Sequence, residues 1–445
     1  MLAQLRESGQ LGVVVYARSY LSQDSGANLG IAEKLAQLGV MPIPLDFLPL
    51  DSIDVKQFSD RPYWHYESMH IAGAAITLKE PKLYGMMLSC FGCGPNSFVT
   101  NIVEDITDGK PLGHLELDEH AAEAGLVTRL EAFVDTISGY HRHHSGDEVP
   151  KWDVDIRRAL PNSISVNDKT ILIPWMNPHA EMLGAAMRAF GVKAKVLPEQ
   201  DDRNLMYGNM VSSGKECLPY RITIGDFMKF YYDNNGNGTD LTKVAGFMPS
   251  AYGPCRFGKY AVEQMRQLRD IGFDLQLETT VSNAGYRDFG LGIAFERLSW
   301  KGIVSIDYLQ RLLWRSRPYE YDEGAADVLF DKYRALLVEC IEARGSLDEV
   351  LSQAVQEFRE IADHDAPRKP LIGINGEIFL RTNRFSNCDL ERECEKAGLE
   401  VIVSPMGEWL NYVTHRYIED AVKFRSVKKL IRGYIKRRIQ RKDEK

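Results

Sequence analysis

The sequence predicts an α/β protein of two to three Rossmann-like parallel-sheet units, with a helical insert and a basic C-terminal helix. Three observations lead there. A pattern of strand, loop, helix, glycine, strand and proline recurs three times along the 445 residues. Hydrophobic residues make up 44% and charged residues 26%, a globular mixture that excludes disorder, collagen and coiled coil as overall descriptions. The longest apolar runs, such as Ile171 to Met176, fall well short of a bilayer-spanning length.

The elements follow in chain order. Val13 to Tyr16 is a β-branched apolar run and reads as a strand. A helical pattern runs from about Asn28 to Leu38 and ends at Gly39. Val40 to Ile43 is a second strand, closed by Pro44. Leu83 to Ser89 is a strand that leads into a cysteine-bearing loop. The copy then repeats: strand at Ile171 to Pro174, helix at Ala180 to Phe190, Gly191, strand at Ala194 to Leu197, Pro198. Lys243 to Pro249 is a further strand before a cysteine loop. The segment from about Asp322 to Ala362 has helical periodicity, and Asp363 to Pro370 connects it to the third copy. That copy comprises Leu371 to Ile374, a helix from about Asp389 to Ala397, Gly398, and Val401 to Ser404 closed by Pro405. A glycine at each helix end is the expected left-handed cap.

These elements divide the chain into a first α/β domain at 1–140 with the Cys93 loop and a polar linker at 141–168. A second α/β domain at 169–290 carries the Cys217 and Cys255 loops. A mainly helical segment at 291–365, a third α/β unit at 366–412 and a basic helix at 413–445 complete it. The opening MLAQLRESGQ has no basic region followed by an apolar one, so no secretory signal is read and a cytoplasmic location is expected.

Net charge is −8, unevenly spread. From Ala421 to Lys445 there are eleven Lys/Arg against two Asp/Glu, net +9, which leaves −17 for the rest. An acidic body argues against general nucleic-acid binding. The segment NNGNG, from Asn234 to Gly238, is a turn and lacks the strand-before, helix-after setting of a dinucleotide fingerprint. Neither a Walker A loop nor HExxH is present.

Seven cysteines in such a chain suit buried thiols or a metal or cluster site better than a disulfide framework. Three share a setting. Cys93 in SCFGCGPNSF and Cys255 in SAYGPCRFGKY each follow a strand, and Cys217 in SSGKECLPY lies between a Ser/Gly loop and a helix. Loops at strand ends and helix starts are where open α/β sheets bind ligands. Glycine lets backbone N–H groups approach sulfur, proline stiffens the loop, and a helix N-terminus favours thiolate. Iron–sulfur ligation needs thiolates. Small buried hydrophobes are the plain alternative reading of these residues. Cys90 and Cys93 form one CxxC, which fits a redox pair, half a zinc site or coincidence. Cys340 and Cys394 read as core, and Cys388 as a loop residue with a weaker claim to ligation.

Longer blocks carry a resemblance. YWHYESMHIAGAA, LYGMMLSCFGCGPNSF, GKPLGHLELDEHAAEAGLVTRLEAF, NPHAEMLGAAMRAFGV, SGKECLPYRITIGDF, GPCRFGKY, INGEIFLRTNRFSN and SPMGEWLNY resemble the dehydratase-like part of proteins related to 2-hydroxyacyl-CoA dehydratase and its activase. That group includes benzoyl-CoA reductase subunits and double-cubane cluster proteins. The resemblance spans about Val13 to Tyr412. It implies a Rossmann-like protein with a cysteine-held cluster between domains, 4Fe–4S or a double cubane, and Cys93, Cys217 and Cys255 match the group's cysteine blocks. Cys90 and Cys388 fall where the group has other residue types. In the family's dehydratases an ATP-driven activase injects one low-potential electron, an open iron meets the thioester carbonyl, and the resulting ketyl radical expels hydroxide. Double-cubane relatives reduce small molecules instead.

The resemblance therefore implies an iron–sulfur component of a reductase or radical dehydratase. Its partners would be a separate activase, an acyl-CoA or a small reducible molecule, and a second copy in a homodimer. A non-catalytic electron-carrying or activase-binding scaffold, and a protein with a structural zinc site, are the rival readings. No catalytic residue is assigned.

Asp118, Glu119 and His120 stand at an expected helix start, for capping or proton delivery, with Arg129 as a pairing partner. Lys215 and Arg256 flank proposed ligands and suit either thiolate stabilisation or an anionic substrate. Glu377 and Arg381 are spaced for a local ion pair. Phe424, Val427, Ile431, Tyr434 and Ile435 share one helical stripe among Lys and Arg. Docking of that stripe is expected, with partner, membrane or nucleic-acid contact as alternatives.

Overall fold

The computed structural model describes residues 2–444 apart from 60–61, 63, 108, 121–122, 145–167, 252–254, 280–289 and 364. Most of the expected linker at 141–168 lies outside the described residues. The chain forms two compact units: Met1–Asn162 with Ser213–Cys217 and Gly253–Lys259, and Ser163–Ser212 with Leu218–Tyr252 and Tyr260–Lys445.

Unit 1 opens with α1 (Leu2–Glu7) and β1 (Gly12–Tyr16), then the short helices α2 (Ser19–Gln23) and α3 (Ser25–Asn28). Next come α4 (Ile31–Gln37), β2 (Met41–Pro44), α5 (His65–Lys79), β3 (Leu83–Cys90), α6 (Asn96–Thr107), β4 (Leu112–Leu117) and α7 (Glu123–His144). The helix expected from about Asn28 to Leu38 is α4, which starts at Ile31 because Leu29 and Gly30, with left-handed φ values of 56° and 64°, separate it from α3. Four parallel strands lie in the order β2-β1-β3-β4. Alternation along β1 sends Val14 and Tyr16 into a core with α5 and α6, and Val13 and Val15 into a core with α4 and α7. Both faces are covered, which is why β1 is buried throughout and reads as a continuous apolar run.

Unit 2 repeats this plan with β5 (Thr170–Ile173), α8 (Pro178–Ala189), β6 (Ala194–Val196), α9 (Asp202–Val211), α10 (Leu218–Asn234), β7 (Val244–Phe247), α11 (Tyr260–Asp270) and β8 (Leu277–Glu278). Its parallel sheet has the order β6-β5-β7-β8. The helical segment follows as α12 (Gly292–Ser316), α13 (Ala325–Glu342) and α14 (Leu347–Glu360). These pack with α8 on one face of the sheet, around Ile171, Ile173, Ala245 and Phe247. The periodic stretch from Asp322 to Ala362 is two helices, separated at Arg344, where φ is 54°.

The third copy is β9 (Leu371–Ile374), α15 (Ile378–Thr382), α16 (Leu390–Lys396) and β10 (Glu400–Val403), with β9 and β10 parallel. It belongs to unit 2, and Trp314 of α12 packs on Ile374, Val401 and Val403. The glycines that end the helix of each copy, Gly39, Gly191 and Gly398, have φ of 82°, 83° and 86°. The expected left-handed caps are present in all three copies.

The C-terminal segment differs from its expected form. It is two helices, α17 (Met406–Lys423) and α18 (Val427–Asp443), with a turn at Phe424 to Ser426. The apolar stripe of Val427, Ile431, Tyr434 and Ile435 faces outward, each residue more than half exposed. The buried positions of α18 are instead Gly433 and Gln440. Glycine decides this: a Cβ at 433 would lie 2.6 Å from Ile418 Cγ1 of α17, so only this face admits the close approach.

No helix among the described residues is long and apolar enough to cross a membrane.

Candidate functional site

In unit 1 the connections reverse direction between β1 and β3, because β2 lies on one side of β1 and β4 on the far side of β3. The crevice beyond the carboxyl ends of such neighbouring strands is the ligand-binding position of open α/β sheets. Ala17 and Arg18 follow β1; Cys90 ends β3, and Phe91 to Cys93 follow it.

The Cys90–Phe91–Gly92–Cys93 segment is a tight turn closed by Cys93 N–H donating to Cys90 O at 3.0 Å. Gly92 has φ of 69°, the third-position conformation that a type II turn demands. The turn directs the chain into α6, where Ser97 N donates to Cys93 O at 3.3 Å. The Arg18 guanidinium lies near Cys93 and 5.0 Å from the centroid of the Tyr66 ring. Tyr20 Oη donates to Cys90 Sγ at 3.8 Å.

The other two cysteine segments belong to the same unit. Within Ser213–Cys217, Lys215 Nζ pairs with Glu116 of β4 at 3.0 Å. Glu216, only 3% exposed, accepts from Ser213 Oγ at 3.1 Å and from Asn101 Nδ2 of α6 at 3.4 Å. In Gly253–Lys259, Arg256 Nη1 donates to Lys215 O at 3.2 Å and to Ser97 Oγ at 3.5 Å. The Arg256 side chain also lies against Gly94, where a Cβ would sit 3.0 Å from its Nε. One guanidinium therefore joins the chain beside Cys93, beside Cys217 and beside Cys255. At the end of this segment Lys259 Nζ reaches Glu67 of α5 at 2.6 Å, in an ion pair 4% and 0% exposed.

The expected second domain at 169–290 accordingly loses its two cysteine segments to unit 1. Strand ends and short return loops carry them there, which sequence order alone does not convey. Cys93 and Cys217 are partly buried and Cys255 is exposed. Cys388, Cys394 and Cys340 belong to unit 2. Cys340 and Cys394 are partly buried and pack against apolar clusters, as expected of core residues. Cys388 is exposed in the turn before α16 with φ of 56°.

A metal or cluster at these cysteines must match the donors present. The three thiol-bearing segments fall in one unit, and Arg18, Lys215 and Arg256 belong to the same unit. Among the described residues, no group of three His, Cys, Asp or Glu side chains has the arrangement that holds a metal ion.

Among the polar companions, Asp118 follows its capping expectation, whereas Glu377 and Arg381 take other partners than each other. Asp118 caps the His120 N–H at 2.9 Å, and Glu119 and His120 are more than four-fifths exposed. Glu377 is the N-cap of α15, accepting from Phe379 N and Leu380 N, while Arg381 binds the carbonyls of Gly376 and Pro405. Sequence reasoning missed a buried network in unit 2. Asp226 accepts from Trp175 N at 3.0 Å, Gln200 Nε2 at 2.8 Å and Asn204 Nδ2 at 2.6 Å, and Asn383 donates to Gln200 Oε1 at 2.8 Å. Burial pushes the Asp226 carboxyl up to about 8 against these bonds. It also missed the Lys259–Glu67 pair. The signal was a lysine after a cysteine loop.

The class defined by this fold and site is an α/β protein with parallel sheets and a cysteine-bearing switch point. No family model matches the chain, and no curated protein or solved structure matches it either.

Proposed function

We propose that the chain is the iron–sulfur component of an ATP-dependent low-potential reductase or radical dehydratase of the 2-hydroxyacyl-CoA dehydratase type. One observation carries the reading. Segments bearing Cys93, Cys217 and Cys255, more than a hundred residues apart at their extremes, fall in one compact unit and share the Arg256 side chain.

Cys93, Cys217 and Cys255 would hold the cluster, 4Fe–4S or double-cubane, which when bound supplies one-electron chemistry at low potential. The chain's own residues do the rest. Arg18 sets positive charge beside Cys93. Arg256 fixes the spacing of the three segments. Lys215 is held by Glu116, so its charge is kept at the rim. The electron donor in this reading is a separate ATP-driven activase, the substrate an acyl-CoA or a small reducible molecule, and the setting a homodimer in the cytoplasm with no nucleic-acid partner.

The test is anaerobic purification or reconstitution, with iron and sulfide counted and EPR spectra taken with and without reductant. Cys93→Ser, Cys217→Ser and Cys255→Ser are each expected to lose most of the iron and sulfide. Cys340→Ser and Cys388→Ser are expected to keep both. A chain that stays free of iron after reconstitution, or takes up zinc in its place, overturns the proposal.

A further inference from the structure

Between Val422 and Lys442 the chain has ten Lys or Arg and no Asp or Glu. The two acids that follow are tied to the body of unit 2. Asp443 accepts from Arg297 Nε of α12 at 2.9 Å, and Glu444 accepts from Asn411 Nδ2 of α17 at 2.9 Å. On that same side of α18, Gly433 lies against Ile418 and Tyr417 of α17. The inner side of the helix is therefore anchored at its middle and at its end, and the acids are drawn away from the outer side.

The outer side carries both apolar and cationic groups. Val427, Ile431, Tyr434 and Ile435 are spaced i, i+4, i+7 and i+8, and Ile439 extends the line by another turn. All five are exposed, and so are Val422 at the end of α17 and Phe424 in the turn. Lys428, Arg432, Arg438 and Arg441 are exposed among and beside them. The seventeen residues of α18 make a rod about 25 Å long, with this mixed face along its length.

We propose that this face of α18 docks on an anionic phospholipid bilayer, with the helix lying in the plane of the membrane surface. Such a surface offers negative headgroups and, just beneath them, hydrocarbon, which are the two partners this face needs together. Val427 and the three isoleucines enter the acyl boundary. Tyr434 sits at headgroup level with its hydroxyl in water, and the Lys and Arg stems extend their charges to the phosphates. Charge decides against the other occupants. The same stripe of a second copy would bring Arg432, Arg438 and Arg441 of two helices against one another, like against like. A nucleic acid would meet the cations and leave the isoleucines facing water. Because Gly433, Asp443 and Glu444 already hold the helix in place, the surface does not have to fold it, and no ordering cost opposes binding. The stripe belongs to unit 2, so the inference stands apart from the iron–sulfur reading.

The experiment floats the full chain, metal-free and reconstituted, with vesicles of phosphatidylcholine alone and with roughly a third phosphatidylserine. Binding to the anionic vesicles is expected whatever the iron content, weaker by about tenfold or more on phosphatidylcholine, and reduced by high salt. Ile431→Ser with Ile435→Ser is expected to weaken it by about tenfold or more at unchanged Tm, and Arg432→Glu with Arg438→Glu by a similar factor. In the wild-type chain, vesicles are expected to protect α18 and the turn before it from hydrogen exchange, a readout that locates the contact even if a variant fails to fold. No binding, equal binding to both vesicle types, protection confined to other segments, or unchanged binding in the isoleucine variant each overturns the proposal, the last because it shows adsorption by charge alone. A dimer that the isoleucine changes dissociate gives the face to a second copy, and preference for duplex DNA or RNA over vesicles gives it to a nucleic acid; either result also overturns it.

Discussion

At the scale of single residues, the ion pair of Lys259 and Glu67 has the clearest consequence. Both groups are out of water, and Glu67 also accepts from Trp64 N at 3.4 Å. Removing one partner of such a pair leaves a charge buried without compensation and costs about 3–5 kcal/mol. Lys259→Met is therefore expected to lower stability by that order in chemical denaturation. Because Lys259 ends the Cys255 segment, the same variant is expected to lose iron on reconstitution. The double change Lys259→Met with Glu67→Leu restores much of the stability, since no orphaned charge remains. A single variant with unchanged stability would show that the pair is not buried in solution. Of these two residues the sequence displayed only their types. A lysine four positions after a cysteine carries no sign of its partner 192 residues away, because the pairing is made by the approach of the Cys255 segment to the first turn of α5.

At the scale of elements, glycine sets the closest helix crossing. In α9 and α10, a Cβ at Gly208 would lie 1.8 Å from Arg221 O, and one at Gly225 would lie 1.8 Å from Asn204 O. The colliding atoms are backbone, which cannot rotate away as a side chain can. Gly225→Ala is expected to destabilise by about 3 kcal/mol or more, beyond the ordinary overpacking range for a single methyl group. Its higher helix propensity would otherwise stabilise by about 1 kcal/mol, so the sign of the measured change decides between crossing and propensity. The same logic applies at Gly433 between α17 and α18, where the obstructing atoms belong to the Ile418 and Tyr417 side chains and a smaller loss follows. By contrast, Ile431→Ser and Ile435→Ser remove exposed side chains and are expected to leave Tm within about a degree or two. Helical periodicity marked the apolar stripe of α18 correctly as a stripe. It did not tell which side packs, because the small residue that permits contact lies on the other face.

At the scale of the whole molecule, buried titratable groups make the two units respond oppositely to pH. In unit 1, burial lowers His70 to about 4, opposed by the polar backbone of Ala17 and aided by the charge of Arg18. The unfolded chain takes up this proton near pH 6.5 and the folded one only near 4, so stability falls as pH drops through that window. The full difference is about 3 kcal/mol. In unit 2, Asp226 is raised to about 8 by burial. Its folded state holds a proton that the unfolded chain has already released, so that contribution is present at low pH and is lost as pH rises toward and through 8. Denaturation curves at a series of pH values are expected to show unit 1 limiting stability in acid and unit 2 limiting it in alkali. His70→Phe should flatten the acid limb; an acid limb that survives this substitution places the sensitive group elsewhere.

Local patterning was sufficient for the α/β class, the three strand–helix–strand copies, their glycine caps and the cysteine loops at strand ends, because each depends on neighbours a few residues apart. Alternation along β1 and the left-handed glycines at 39, 191 and 398 are properties of short stretches of chain. The tertiary structure alone decided that the Cys217 and Cys255 segments join the first unit, that α18 turns its apolar stripe outward, and that Asn96 is left buried without a partner. Those outcomes depend on which surfaces approach closely enough to exclude water, a long-range competition between burial and steric fit that no local periodicity encodes.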